Sequence, residues 1–274
     1  MITSRNNPLV IQARKLLHKK ERLQAGQFYV EGIRQTVQAL ETPQQVQHVL
    51  ICPETLTSQT ALQKVDAARQ MGIDIVEFSE PVFRSFSIRD NPQGMAAICR
   101  QQTTAISDVN IKSGIPWIAL DSVQDPGNLG TILRTLDSAG GGGVFILDDS
   151  TDPWDPACVR ASLGAVFTLK LVISSIEDFS NWKLKSGIFV AGASGEATQD
   201  YHTANYPDRI LLLMGSEKQG LDDQLSELCD VKVSIPMRGR CDSLNLAVAT
   251  GIILYEIIDH WRDQRLAPKN EGRI

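Results

Sequence analysis

The sequence is short of several things, and each shortage excludes a class of protein. Its five cysteines (Cys52, Cys99, Cys158, Cys229, Cys241) are odd in number and contain no C-x-x-C pair, so they read as reduced, mostly buried thiols and not as a disulfide framework. The four histidines (His18, His48, His202, His260) are scattered without metal-ligand spacing, and no metal is expected. No apolar run reaches eighteen residues, and Met1-Ile2-Thr3-Ser4-Arg5 does not begin like a signal peptide. A soluble, cytoplasmic protein with no membrane partner is therefore expected. Gly127-Asn128-Leu129-Gly130 does not provide the G-x-G-x-x-G that a nucleotide-dependent oxidoreductase would place at its first helix.

What is present suffices for ordered domains. A chain of 274 residues, 42% of them hydrophobic, builds one large core or two modest ones, and 22% charged residues argue against wholesale disorder. The net charge of −5 hides an asymmetry. Met1 to Arg34 carries seven basic residues against Glu21 and Glu31, whereas the remainder is acidic. A basic end on an acidic body suits RNA contact there, and a plain solvated helix face is the bland alternative.

Asn7-Pro8 starts a helical pattern with Leu9, Ala13, Leu16 and Leu17 inward and Arg14, Lys15, Lys19 and Lys20 outward. Strands at Phe28–Val30, Val46–Cys52, Ile73–Phe78 and Met95–Arg100 alternate with helices near Gly32–Leu40, Thr57–Met71 and after Pro81. This predicts an α/β/α domain over residues 1–100. The polar stretch 101–114 reads as a linker, 115–266 as a second α/β domain and 267–274 as a tail.

The second domain is organised around P-W-I-A-L-D-S-V-Q-D-P-G-N-L-G-T-I-L-R-T-L-D-S-A-G-G-G-G-V-F-I-L, residues 116–147. Trp117–Leu120 reads as a strand, Asp121–Gly127 as a turn, Asn128–Ala139 as a helix and Val144–Leu147 as a second strand. On local grounds the bland reading of Asn128 is a helix N-cap, and Arg134 is either a snorkelling surface residue or a cation aimed into a cleft. Further on, a helix at Ala157–Gly164 leads into a strand at Phe167–Ile173. A helix near Ile176–Leu184, strands at Ile188–Ala191, Ile210–Met214 and Val231–Ile235, and a last helix from about Ser243 to Gln264 follow. Its inward face is Leu246, Ala249, Ile253 and Ile257. Alternation of this kind implies a doubly wound, mostly parallel sheet.

D-P-G-N-L-G-T-I-L-R-T, L-L-L-M-G-S-E-K-Q-G-L and I-P-M-R-G-R-C-D-S-L-N-L-A-V-A-T-G-I-I-L-Y-E, in this order, resemble the three motifs of the SpoU (TrmH) family of RNA ribose 2′-O-methyltransferases, in the SPOUT superfamily. More weakly, F-Y-V-E-G-I-R and N-P-Q-G-M-A-A-I resemble the RNA substrate-binding domain that precedes many of its catalytic domains. The resemblance implies a C-terminal parallel sheet with a deep trefoil knot, S-adenosylmethionine as cofactor, RNA as partner (ribosomal more than transfer RNA) and a homodimer through the catalytic domain.

Residue by residue, the resemblance gives Asn128, Arg134, Glu217, Ser243 and Asn245 as active-site positions. It gives Gly215, Ile235 and Leu244, with Ala193, Met214 and Met237 as neighbours, as cofactor contacts. Arg160 and Ser162 also match the family, with helix packing as their alternative. A guanidinium titrating above about 12 is a poor base, so Arg134 is expected to grip a phosphate oxygen and orient the 2′-hydroxyl. Asn128 and Asn245 would position the ribose or brace loops, and Glu217 would hold Arg134 or cap the next helix. Arg238 and Arg240 are two added cations suited to RNA phosphates, and the run Gly140–Gly143 is expected to loosen its turn. A fold that binds RNA without catalysis is the leading alternative.

Overall fold

Helix α1 (Pro8–Lys15) begins where Asn7 accepts the Leu9 N–H at 2.9 Å, with Pro8 at a position that needs no donor. The computed structural model describes residues 1–266, and the expected tail at 267–274 lies outside the described residues. The basic run does not continue as one helix: it breaks at Leu16–His18, and α2 (Lys19–Ala25) ends at Gly26, in the left-handed region at φ 60°. Arg22 explains the break. Its guanidinium donates to the carbonyls of Leu16 at 3.1 Å and Leu17 at 2.9 Å, satisfying the open end of α1.

There follow β1 (Gln27–Glu31), α3 (Ile33–Ala39), β2 (Val46–Ile51), α4 (Gln59–Gln70), β3 (Asp74–Glu77), α5 (Glu80–Phe83) and β4 (Met95–Arg100). The sheet order is β1-β4-β2-β3, with β4 antiparallel to both neighbours and β2 parallel to β3. Val10, Leu16, Tyr29, Leu50, Phe78, Phe86 and Ile98 form its core.

The chain forms two compact units, Met1–Gln102 with Asp152–Thr168, and Thr103–Thr151 with Leu169 onward. In the second, β5 (Trp117–Asp121), α6 (Pro126–Ser138) and β6 (Gly143–Leu147) form the expected β-loop-α-β unit. The inserted segment returns to the first unit as α7 (Pro156–Ser162) and α8 (Ala165–Thr168). Phe167 lies in a helical turn, not in a strand, because Leu163 (φ 49°) and Gly164 (φ 100°) turn the chain so that its ring packs 5.7 Å from Phe28. Ser162 is buried and donates to the Val159 carbonyl, whereas Arg160 is exposed.

The second unit resumes with β7 (Lys170–Ser174), α9 (Ile176–Ser186), β8 (Phe189–Ala193), β9 (Gln199–Asp200), β10 (Ile210–Met214), α10 (Asp223–Glu227), β11 (Val231–Ser234) and α11 (Leu246–Leu266). Seven strands, in the order β7-β6-β5-β10-β8-β11-β9, pair in parallel throughout. The stretch read as a linker is laid on this unit: Ile111 is in its core, and the Ile111 carbonyl accepts from Arg209 at 3.1 Å. The glycine run does not loosen its turn. A methyl group on Gly141, Gly142 or Gly143 would meet Leu136, Trp117 or the Lys170 carbonyl at 2.5 Å or less, so these glycines permit close packing. Helix α11 starts later than expected and packs on α6, with Ala247, Thr250 and Leu254 joining the inward face and Ala249 only half-buried.

Candidate active site

The C-terminal ends of β5, β10 and β11, adjacent in a parallel sheet with β8, aim three loops to one edge, where open α/β sheets hold ligands. After β5 the backbone turns sharply at Ser122 (φ 52°), and the Gln124 side chain locks the turn by donating to the Ser122 and Asp149 carbonyls at 3.1 and 3.2 Å. Asp125, not Asn128, is the N-cap of α6. Its carboxylate accepts the Asn128 N–H at 2.9 Å, Pro126 takes the first helical position, and a methyl group on Gly127 would lie 2.8 Å from the cap oxygen.

Relieved of capping, the Asn128 side chain faces the other two motifs. Its amide donates to Glu217 at 3.2 Å, and its oxygen accepts from the Asn245 amide at 2.9 Å. Asn245 uses its own oxygen to accept the Ala247 and Val248 N–H groups, capping α11. The polarity of the chain is thereby fixed: a carboxylate only accepts, so Asn128 must turn its NH2 to Glu217 and its oxygen to Asn245. Glu217 also accepts the Gln124 N–H at 3.3 Å. It therefore neither holds Arg134 nor caps the next helix, which is capped by Asp222; it ties the first motif to the second.

Glu217 is presented by a tight turn. Ser216 and Gly220 exchange backbone hydrogen bonds at 3.0 Å, and any side chain on Gly215 would strike Gly220 at 2.1 Å. A cavity of about 160 Å³ lies beside this turn. All six residues expected at a cofactor, Ala193, Met214, Gly215, Ile235, Met237 and Leu244, line it, together with Ser243. Ser243 donates to Asp242 at 3.0 Å. The small-residue loop Gly192–Glu196, suited in sequence to close approach of a ligand, contributes Ser194 and Gly195 to the wall, whereas sequence reasoning missed Ser216, Gly220 and Asp242 there, and Gln124 and Asp125 behind it; the D-P-G word before a helical pattern is the signal for Asp125.

Not every expected residue joins the site. Arg134 is exposed, about 240° around α6 from Asn128, and its side chain has no hydrogen bond or ion pair among the described residues. Arg238 and Arg240 are exposed in the loop before α11, and Lys19 and Lys20 on α2. Arg14 is half-buried and donates to the Ser85 carbonyl at 3.0 Å, and Lys15 lies 3.9 Å from Glu21. Asp121, at the end of β5, is buried. Burial first, then the charges of Asp222, Asp148 and Asp149, raise its carboxyl above the usual range, against a hydrogen bond from Ser122. Among the described residues no His, Cys, Asp or Glu cluster could hold a metal, and no helix is long and apolar enough to cross a membrane.

The SpoU rRNA methylase family model matches residues 116–255, which contain every polar group of this network. The chain belongs to that family. An MRM3-like substrate binding domain matches residues 7–97 of this SpoU protein. Relatives span nearly the whole chain. It is 29% identical to the 23S rRNA (guanosine(2553)-2′-O)-methyltransferase RlmP of Bacillus subtilis, over 93% of this chain and 98% of the relative. It is 28% identical to the 23S rRNA (uridine(2479)-2′-O)-methyltransferase of Streptomyces viridochromogenes, over 94% and 91%. The AdoMet-bound rRNA methyltransferase of Sinorhizobium meliloti superposes with a TM-score of 0.84 at 35% identity, covering 94% of this chain and 97% of that one.

Proposed function

We infer that this SpoU-family protein transfers a methyl group from S-adenosylmethionine to a ribose 2′-hydroxyl of ribosomal RNA in the cytoplasm. The observation that carries the reading is the hydrogen-bonded chain Glu217–Asn128–Asn245, one residue from each motif, running into the loop whose Ser243 and Leu244 line the cavity.

The cavity fits the cofactor's chemistry. Ile235, Met237, Leu244 and Leu246 offer apolar wall to an adenine and a thioether-like chain, Gly195 brings its backbone to the wall without a side chain, and Asp242 and Ser243 supply polar contacts. When bound, S-adenosylmethionine supplies an electrophilic methyl carbon. The protein's share is to hold the hydroxyl in line and to keep water away. Asn128 and Asn245 are immobilised before RNA arrives, so their contacts to a ribose lose little freedom on binding. Arg134, always charged, grips a phosphate oxygen and fixes the nucleotide while the hydroxyl proton leaves to phosphate or water.

The position of Arg134, away from Asn128 and without a hydrogen-bond or ion-pair partner among the described residues, supports action in a homodimer. Val248 and Tyr255, seven residues apart on α11 and 50% and 45% exposed, give apolar area for that contact. In this reading the segment from the Gly215–Gly220 turn to α11, which packs on α6 and β10, is the knotted part.

The test is transfer of labelled methyl from S-adenosylmethionine to ribosomal RNA lacking the modification, with the product mapped by resistance to alkali. Label at one alkali-resistant ribose, lost in Arg134→Ala, is the expected result. Cofactor binding without label on any RNA would leave RNA binding as the activity.

A further inference from the structure

The first unit holds a small polar nook that the methyl-transfer site does not use. It is built around Gly32, which ends β1 at φ 110°. A methyl group there would lie 2.7 Å from the Gln35 side-chain oxygen and 3.0 Å from Arg89 Nη2, so the missing side chain lets a carboxamide and a guanidinium converge on one point.

Neither side chain makes a hydrogen bond or ion pair among the described residues, although the charge of Arg89 acts on the buried Tyr29 hydroxyl. Gln35 is 6% exposed, and its amide makes no hydrogen bond among the described residues. Arg89 is half-buried, and its side chain makes no hydrogen bond or ion pair there either. The contrast within the same unit is Arg22, whose donors are met by Asp152, Asp155 and two carbonyls. A buried carboxylate does stand near Arg89, but it is already engaged: Glu31 accepts from the Ser87 hydroxyl and from the Ile88 N–H at 2.7 Å. Those bonds, with Arg84 donating to the Asp90 carbonyl at 3.2 Å and Gln93 accepting the Ile33 N–H at 3.3 Å, hold the loop that carries Arg89 from several sides. Asp90, exposed, forms no ion pair with it, and Arg34, exposed on α3, adds a second cation two residues from Gly32.

A half-desolvated guanidinium on a held loop, beside a carboxamide, with no hydrogen-bond acceptor or donor for either among the described residues, suits an anionic ligand with both acceptor and hydroxyl groups. We propose that Gly32, Gln35 and Arg89 form a backbone-binding subsite for single-stranded RNA, Arg89 taking a phosphodiester oxygen pair and Gln35 the neighbouring phosphate or 2′-hydroxyl. The proposal rests on the ribosomal RNA reading above and gives the first unit a place in it. Planar two-point pairing favours phosphate at Arg89, and RNA adds the hydroxyl that Gln35 can recognise.

The experiment uses the full chain and a mixed-sequence single-stranded RNA of about 20 nucleotides, its affinity followed by fluorescence anisotropy across a salt series, with melting curves and methyl transfer measured in parallel. Arg89→Ala is expected to weaken binding at least about tenfold and to lower the salt slope by about 0.7, the share of one phosphate on a single strand. Arg89→Lys should keep the slope and recover part of the affinity; Gln35→Leu should weaken binding about threefold at unchanged slope. Melting of Arg89→Ala at the wild-type temperature is expected, since the side chain makes no hydrogen bond or ion pair among the described residues. Unchanged affinity and slope in Arg89→Ala, with methyl transfer intact in the wild type, would remove the subsite and leave the enzyme reading standing. A lower melting temperature for Arg89→Ala would make the residue structural and overturn the proposal. Wild-type protein that neither binds nor methylates RNA, but loses an acidic peptide on Arg89→Ala, would overturn both.

Discussion

Among the described residues each unit buries one aspartate, at nearly the same depth, and the two are treated in opposite ways. Asp152 is 6% exposed, receives Arg22 Nε at 2.7 Å and gives its other oxygen to the Trp154 N–H at 2.9 Å. Asp121 is 5% exposed and among the described residues has only the Ser122 hydroxyl at 3.0 Å, with three further carboxylates acting on it. The paired aspartate sits where the chain is welded, joining α1, α2 and the start of the inserted segment. The poorly compensated one ends β5, an interior strand that feeds the candidate active site. Buried charge in this protein is saturated where it serves the scaffold and left strained where the loops must present polar groups.

The comparison breaks most forcefully at Arg22. Arg22→Ala leaves Asp152 buried and unpaired and frees the Leu16 and Leu17 carbonyls, so a loss of about 3–5 kcal/mol is expected in urea unfolding. The double change Arg22→Met with Asp152→Leu should recover only part of it, because it leaves no orphaned buried charge but still strands the Leu16 and Leu17 carbonyls and the Trp154 N–H. A single variant as stable as wild type would show that the weld is decorative.

On the side of the second unit, removal of an exposed group should spare the fold and strike turnover. Arg134→Ala is expected to slow methyl transfer by about 10²–10³-fold, the scale of one lost transition-state donor, at an unchanged melting temperature. Arg134→Lys keeps the charge and loses the fork; near-full turnover in it would show that charge alone suffices. Asn245 is predicted to divide the two roles. Asn245→Asp retains the oxygen that caps α11 and loses the donor to Asn128, so melting should hold while transfer falls, whereas Asn245→Ala adds about 1 kcal/mol of destabilisation through the lost cap.

Much of this could be read from the chain, and what could not has identifiable causes. Trp117–Leu120, Val144–Leu147 and Ile210–Met214 are continuous apolar runs, the mark of strands covered on both faces, and the structure gives strands at all three. Strand β9, two residues long, has no period to detect. D-P-G-N contains two residues able to cap a helix; the proline next to Asp125 decides between them, and Asn128 is freed for the network. The basic N-terminal count was blind to depth: Arg22 looks like its neighbours in sequence, yet it alone is buried, because only its position faces Asp152 and Asp155. The meeting of Asn128, Glu217 and Asn245 spans 117 residues and follows from strand order, which no local pattern carries.

The smallest expected effect concerns Asp121 itself and depends on pH. Its folded-state carboxyl titrates above the ordinary range, so between the unfolded and folded values the native state holds more protons than the unfolded chain. Stability from this group is therefore fully present below the unfolded value and is lost as pH rises through the folded one. Asp121→Asn keeps an oxygen for the Ser122 hydroxyl and removes the charge. At neutral pH it should unfold at the same or slightly higher urea concentration than wild type, and the difference should close as pH falls toward 4. An advantage that persisted or grew in acid would mean that the substitution acts through packing, and Asp121 would then stand with Asp152 as part of the scaffold.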